Sequence, residues 1–283
     1  MDDQLNIRRE KISIIIPCYN DANYIEKSVN SALDQDYKNK EIIVVDDGSN
    51  TETKEVLKRL KSKIDFLLTQ KNKGAGTARN RGISVANGEY ILTLDSDDYF
   101  EETFCTKAVQ VFRENENAKI VSCYANRFNR DGNDIIKHSN ATLKDFLKFN
   151  QALGNALFYK SDWEEVGGYD EKMTEGYEDW EFYIRILKYG GYSHIIPEIL
   201  FNYRLREVSN STRADKIKYK LLKYIYIKHK DLYTDNFEIL IAHLLNRLEI
   251  VEKSERKNLN KLEFRIGKKI LTPLRKIRKI FER

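Results

Sequence analysis

The stretch "ILTLDSDDYF", residues 91 to 100, sets an apolar, β-favouring run against three carboxylates, Asp95, Asp97 and Asp98. The run suits a buried strand, and the carboxylates suit only its end, where the chain meets water or a cation. Acidic groups this close repel one another unless they lie open to solvent or gather around positive charge. A hard divalent ion with oxygen ligands, Mn2+ or Mg2+, meets that need and keeps positions for phosphate oxygens. The plainer alternative is a solvated turn in which Asp98 caps the following helix. An EF-hand does not fit, because Tyr99 and Phe100 stand where that loop needs an oxygen ligand and then glycine.

The flanking sequence repeats the pattern. "ISIIIPC" (12 to 18), "EIIVVD" (41 to 46), "IDFLLT" (64 to 69), "YILTLD" (90 to 95) and "KIVSCYA" (119 to 125) read as strands. Between them, "YIEKSVNSALDQ", "TETKEVLKRLKSK", "GTARNRGISVAN" and "ETFCTKAVQVFREN" return apolar residues every three or four positions, as helices do. Strands this apolar are covered on both faces, which predicts a doubly wound α/β unit over residues 11 to 125. Beyond it, "NRFNRDGNDIIKH" reads as a hairpin turning at Asp131-Gly132, "GNALFYK" as a strand, "EDWEFYIRILKYG" as a helix, and the chain from 215 onward as helical. His194, in "GYSHIIPEI", is assigned to a strand rather than to a metal shell.

Ligands of such sheets bind outside the carboxyl ends of the strands. There the sequence places Pro17, Cys18, Tyr19 and Asn20 after strand one, Asp46 to Ser49 after strand two, and "DSDD" after strand four. Asp46 or Asp47 can accept a hydrogen bond from a base N–H or cap a helix. "GAGTARN" joins Gly74 and Gly76, which permit close backbone approach, to Arg79, a fixed cation suited to phosphate or to holding an aspartate in place.

Composition narrows the partners. Residues 261 to 283 hold nine Lys/Arg and two Glu, leaving 40 basic against 42 acidic groups elsewhere, so the net charge of +5 belongs to the tail and the core is not built for nucleic acid. Three widely spaced cysteines, Cys18, Cys105 and Cys123, form neither a disulfide framework nor a zinc site, which fits a reducing cytosol. No secretory leader or spanning run is evident in the sequence, so a cytoplasmic protein is expected.

Seven segments in order, "ISIIIPCYN", "EIIVVDDGSN", "NKGAGTARNRG", "YILTLDSDD", "VGGYDE", "EDWEF" and "NYRLREVSNST", resemble the family 2 glycosyltransferases, inverting enzymes of the GT-A fold, over residues 11 to 213. The resemblance implies a catalytic domain over 1 to 213, with a nucleotide-sugar half (11 to 125) and an acceptor half (126 to 213), followed by a helical region over 214 to 283. It implies a nucleoside-diphosphate sugar donor, with UDP favoured, and a glycan or lipid-linked acceptor in bacterial surface polysaccharide synthesis. Carried over by motif, Asp47 beside Asp46 contacts the base, and Pro17, Tyr19 and Asn20 line the uridine pocket. Arg79 lies near ribose and diphosphate. Asp97 binds the metal, with Asp95 near ribose and metal and Ser96 between them. Asp179, after Glu178, is the catalytic base, and Arg204 and Arg206 belong to a lid over the donor phosphates.

Other assignments on this fold are a non-catalytic nucleotide-sugar or glycan-binding module and a nucleotidyltransferase; the latter lacks its glycine-rich loop, since "IPCYND" has no glycine. The Q-x-x-R-W signature of processive synthases is also missing, which implies transfer of one sugar per encounter. In "NKLEFRIGKKILTPLRKIRKIFER", Leu274, Ile277, Ile280 and Phe281 share one face and Arg275, Lys276, Arg278 and Lys279 largely another. Such a helix over 264 to 283 suits the anionic inner face of a membrane, or packs on the preceding helices or on a second subunit as a homodimer.

Overall fold

Strand β1 (Ile12–Cys18) is buried at all seven positions, and its Ile and Val neighbours in β2 (Lys40–Asp46) and β4 (Tyr90–Thr93) flank it in parallel. A computed structural model describes residues 10–206, 210–264, 266–267 and 270–271. The remaining strands are β3 (Phe66–Thr69), β5 (Tyr99–Phe100), β6 (Ala118–Phe128), β7 (Asn133–Ile136), β8 (Leu157–Tyr159) and β9 (Tyr192–Arg204). They form one nine-stranded sheet in the order β3-β2-β1-β4-β8-β6-β9-β5, with β7 paired to β6. Parallel pairing joins β3, β2, β1 and β4, and again β6 and β9; β8, β5 and β7 run the other way.

Helices α1 (Ile25–Leu33), α2 (Thr51–Leu60), α3 (Ala75–Val85) and α4 (Phe104–Glu114) follow the predicted alternation. Gly82 lets α3 settle on the sheet, since a Cβ there would lie 2.6 Å from Ile15 Cγ2. Every strand of the parallel half points its carboxyl end to one edge: Cys18 is level with Asp46, and Asp95 follows two residues after β4.

Two features differ from the sequence reading. Asp98 does not cap α4, whose N-cap is Thr103; its side chain is buried instead. Strand β9 runs for 13 residues, through Pro197, because its register with β6 jumps from Cys123↔Ile196 to Tyr124↔Ile199. A proline cannot donate to a ladder, and a bulge is where a strand tolerates it.

Short helices α5 (Leu143–Phe146) and α6 (Lys160–Val166) precede α7 (Glu178–Leu187), then come α8 (Asn210–Lys228), α9 (Lys230–Asp235) and α10 (Phe237–Asn260). The first compact unit extends to Leu232, so α8 belongs with the sheet rather than with the C-terminal region. The reason lies in Glu181 on α7, fully buried and in contact with Arg185 (2.7 Å), Lys228 (2.7 Å) and His229 (2.9 Å). Lys228 also reaches Asp170 (2.6 Å), and Tyr224 donates to the same carboxylate (2.8 Å). The second unit, Tyr233–Arg283, is described by α10, a helix of 24 residues without a buried side chain. Most of the basic amphipathic segment read from sequence, residues 272 to 283, lies outside the described residues. Among the described residues no helix is long and apolar enough to cross a membrane.

Burial pushes Glu181 upward, but His229, Arg185 and Lys228 more than offset it and hold the carboxyl at about 2, below its ordinary 4.5. The stability this gives is complete above 4.5 and is lost as pH falls through about 2. Glu181→Gln, which strands buried cations, is expected to lower the unfolding free energy by about 3 kcal/mol at neutral pH in urea titrations. The difference from wild type should shrink as pH falls from 4.5 towards 2.

Candidate active site

The acidic edge is organised by two arginines. Arg79, on α3, is buried and forks between two carboxylates: Nη2 donates to Asp95 Oδ1 and Nη1 to Glu178 Oε1, both at 2.7 Å. Of the two roles open to it from sequence, the structure shows the holding of an aspartate. Burial disfavours its charge, yet Asp95 and Glu178 keep it protonated well above its ordinary range. Asp95 is fixed a second time by Asn155, which accepts from the Asp95 amide (2.7 Å) and donates to Asp95 Oδ2 (3.3 Å).

Arg206 holds the neighbouring carboxylates. Its Nε donates to Asp97 Oδ2 (2.6 Å) and its Nη1 to Asp21 Oδ1 (2.8 Å), while Ser96 Oγ donates to the other oxygen of Asp21. Arg204 donates through Nε to the Asp97 carbonyl (3.0 Å) and lies over the rings of Tyr24 (4.7 Å) and Phe128 (4.8 Å). Its backbone amide donates to Asp98 Oδ1 (2.7 Å). Among the described residues Asp98 Oδ2 is buried without a hydrogen-bond partner, and burial, with Asp97 and Asp95 adding to it, pushes that carboxyl well above the usual carboxylate range. Burial raises Asp97 to about 6; Arg206 opposes the rise, and Asp95 and Asp21 add to it.

At the mouths of β1 and β2, Asp46 Oδ1 accepts from the Ser49 amide (2.8 Å), and Asn50, not an aspartate, caps α2 by accepting from Thr53 N (3.0 Å). Asp47 gathers the 70–74 loop: Gln70 Nε2 and Lys73 N donate to Oδ1 (2.8 and 2.9 Å) and Gly74 N to Oδ2 (2.9 Å). A carboxylate has about four acceptor positions, and this loop takes three of those on Asp47. Asn20, at φ +58, donates its amide to Ser49 Oγ (3.1 Å) and accepts from Asn50 N (2.7 Å). Tyr19 is half exposed beside it, while Pro17 is buried within β1.

Asp179 occupies the first turn of α7, as a dipole-favoured carboxylate would. Its Oδ2 accepts from Asn150 Nδ2 at 2.8 Å. Burial and then Glu178 raise it to about 6, against Arg79, the Trp180 amide and Asn150, which lower it. A carboxyl near 6 is a workable proton acceptor at neutral pH. The structure thus brings Asp95 and the Glu178-Asp179 pair together through Arg79, and Asp97, Ser96 and Arg204 together around Arg206.

Sequence reasoning missed Asp21, Asn150 and Asn155. The only local signal was the polar residues Asn150, Gln151 and Asn155 in the otherwise apolar "NQALGNALF". Residues 207–209 of the lid segment, Ser209 included, lie outside the described residues.

Comparison with known proteins bears on the family and the fold. The pattern of glycosyl transferase family 2 matches residues 13–169, just over half of the chain, and that of the N-terminal domain of galactosyltransferase matches 142–209. A Bacillus subtilis protein named for teichuronic acid biosynthesis, TuaG, is 30% identical across 73% of this chain and 83% of its own length. The chondroitin synthases of Escherichia coli and Pasteurella multocida, each 28% identical over 84% of this chain, are longer, and the match spans a third or less of them. Among solved structures, Staphylococcus aureus TarS 1-349 with UDP-GlcNAc superposes with a TM-score of 0.68 at 21% identity, over 90% of this chain and 77% of that one. The Pyrobaculum calidifontis mannosyltransferase PcManGT with GDP-Man and Mn2+ gives 0.58 at 18% identity, over 93% and 84%. With the fold of these GT-A enzymes and a family pattern over most of its sheet, the chain belongs to glycosyl transferase family 2 and is a glycosyltransferase.

Proposed function

We propose that this glycosyltransferase moves one sugar from a nucleoside-diphosphate donor, UDP-linked by preference, to a hydroxyl of a glycan or lipid-linked acceptor, with inversion and with a divalent metal, in bacterial surface polysaccharide synthesis. The observation that carries the reading is the Arg79 fork, which ties Asp95 of the donor edge to Glu178 beside the half-buried Asp179. TuaG's name supports the polysaccharide context, and the nucleotide-sugar complexes of TarS and PcManGT support the donor class.

In this mechanism Asp179 accepts the proton of the acceptor hydroxyl as that oxygen forms a bond to the anomeric carbon. The bond to the diphosphate oxygen breaks on the opposite face, and the diphosphate departs with its electron pair. Asp47 receives the base N–H, and Tyr19 and Asn20 flank the nucleoside.

The metal reading is tested by the donor set itself. Among the described residues no group of three His, Cys, Asp or Glu stands ready to hold an ion. Asp97 nevertheless carries a guanidinium on Oδ2, so this carboxylate takes a cation, and hard ions that use one or two carboxylates complete their shell with phosphate oxygens and water. Asp97, with Asp95 beside it, fits that mode. Mn2+ or Mg2+ there supplies positive charge to the departing diphosphate. The basic tail over 264 to 283 would hold the enzyme against anionic lipid on the cytoplasmic face.

Titration calorimetry of UDP, with Mn2+ and then with chelator, is expected to show metal-dependent binding that GDP does not match and that Asp97→Ala abolishes. Equal binding without metal would remove the ion from the mechanism. Asp179→Asn is expected to lose at least about 100-fold in turnover while retaining UDP affinity. Because Asp179 acts deprotonated, wild-type turnover should rise with pH through about 6; retained turnover in Asp179→Asn would exclude the base role. Deleting residues 264 to 283 should release the protein from vesicles containing phosphatidylglycerol, and undiminished binding would remove the anchor.

A further inference from the structure

The segment 150–156, "NQALGNA", joins α5 to β8 without regular structure for most of its length, yet it touches both halves of the site. Asn150 donates to Asp179 Oδ2 at 2.8 Å. The orientation of its amide is set within the segment, since Asn150 Oδ1 accepts from the Ala152 amide (3.4 Å), which leaves Nδ2 to face the carboxylate. Gly154 passes so close that a Cβ there would lie 3.0 Å from Asp179 Oδ2, so the backbone closes over that oxygen. Asn155 grips Asp95 by backbone and side chain. Between them, the Gly154 carbonyl accepts from Thr93 Oγ1 (3.0 Å) and Tyr183 Oη (3.2 Å), and the Leu153 carbonyl accepts from Tyr183 as well (2.9 Å). The strap is thereby fastened to β4 on one side and to α7 on the other.

We propose that residues 150–156 form a positioning strap in which Asn150 aims the Asp179 carboxylate at the acceptor hydroxyl while Asn155 fixes Asp95 on the donor side. The proposal deepens the reading of Asp179 as the base and rests on it. One short segment then sets the separation between the group that activates the acceptor and the group that orients the donor. An in-line displacement is sensitive to that separation, because a misplacement of about 1 Å can cost 100-fold. Asn150 is a positioning residue, and it also stabilises the charged form of the carboxylate it orients.

The charged and titratable groups facing Asp179 are Glu178 on its own helix, Arg79 from α3, and Tyr169 and Tyr183. Glu178 raises Asp179, whereas Arg79 and Asn150 lower it. Removing the Asn150 donor therefore moves the titration of Asp179 upward, whereas removing Asn155 leaves it where it was.

Difference infrared spectroscopy of the full chain reads this directly, through the protonated carboxyl band that disappears in Asp179→Asn. Asn150→Ala is expected to shift that band's titration to higher pH with UDP affinity in Mn2+ unchanged. Asn155→Ala is expected to weaken UDP binding with the titration unmoved, and Asn150→Gln to restore part of the wild-type value. An unmoved titration in Asn150→Ala overturns the proposal, and so does equal movement in both alanine variants, which would mark general loosening of the segment. Should the alanine variant not fold, Asn150→Ser decides the question by the same band. The base reading fails separately, if Asp179→Asn retains turnover whatever the infrared titration shows.

Discussion

A buried guanidinium shared by two carboxylates from distant parts of the chain holds this site together. Arg79 lies 16 residues before Asp95 and 99 before Glu178, and it has both at hydrogen-bonding distance. An arginine there cannot escape its charge by losing a proton, so the carboxylates must stay with it. Two acidic partners for one cation leave the neighbourhood short of positive charge. Asp179, next in sequence to Glu178, is raised to about 6 by burial and then by Glu178, and Arg79 opposes the rise.

The three carboxylates in one turn meet three different surroundings. Asp95 has Arg79, Asp97 has Arg206, and Asp98 is buried with its carboxyl pushed well above the usual range by burial and by Asp97 and Asp95. Arg206 joins Asp97 to Asp21 from 109 and 185 residues further along the chain, so the edge of the sheet is closed by a segment from the end of β9. Among the described residues the acidic edge is thus no bare acidic pocket, since a guanidinium is already seated on Asp97.

What the sequence shows and what it hides divide along the range of the interactions. Strands β1, β2 and β4 and helices α1 to α4 follow from local periodicity and were placed within a few residues, and the ligand edge follows from the parallel order. Strand β9 was recognised only around His194, because Pro197 interrupts the pattern and the bulge that accommodates it depends on pairing with β6. The acidic motifs were legible as motifs, but their partners were not: Asn150 is 29 residues from Asp179 and Asn155 is 60 from Asp95. An asparagine in an irregular segment carries no sign of which carboxylate it will meet. Helix α8 was read as part of a C-terminal appendix because its tie to the sheet, Lys228 to Glu181, spans an interval no periodicity reports.

The entry to α7 shows why Glu178 and Asp179 can serve different masters. Tyr177, just before them, adopts φ +64, a left-handed conformation that a bulky residue takes at a cost of about 1 kcal/mol or more. Gly176 precedes it at φ +115, so the chain turns sharply into the helix and delivers both acidic residues into its first turn. Successive helical residues point about 100° apart. Glu178 thus reaches Arg79 and the donor edge, while Asp179 reaches Asn150 and the strap. The strained turn allows adjacent carboxylates to divide the work, one bound in a fixed ion pair and the other left with a proton affinity close to neutrality.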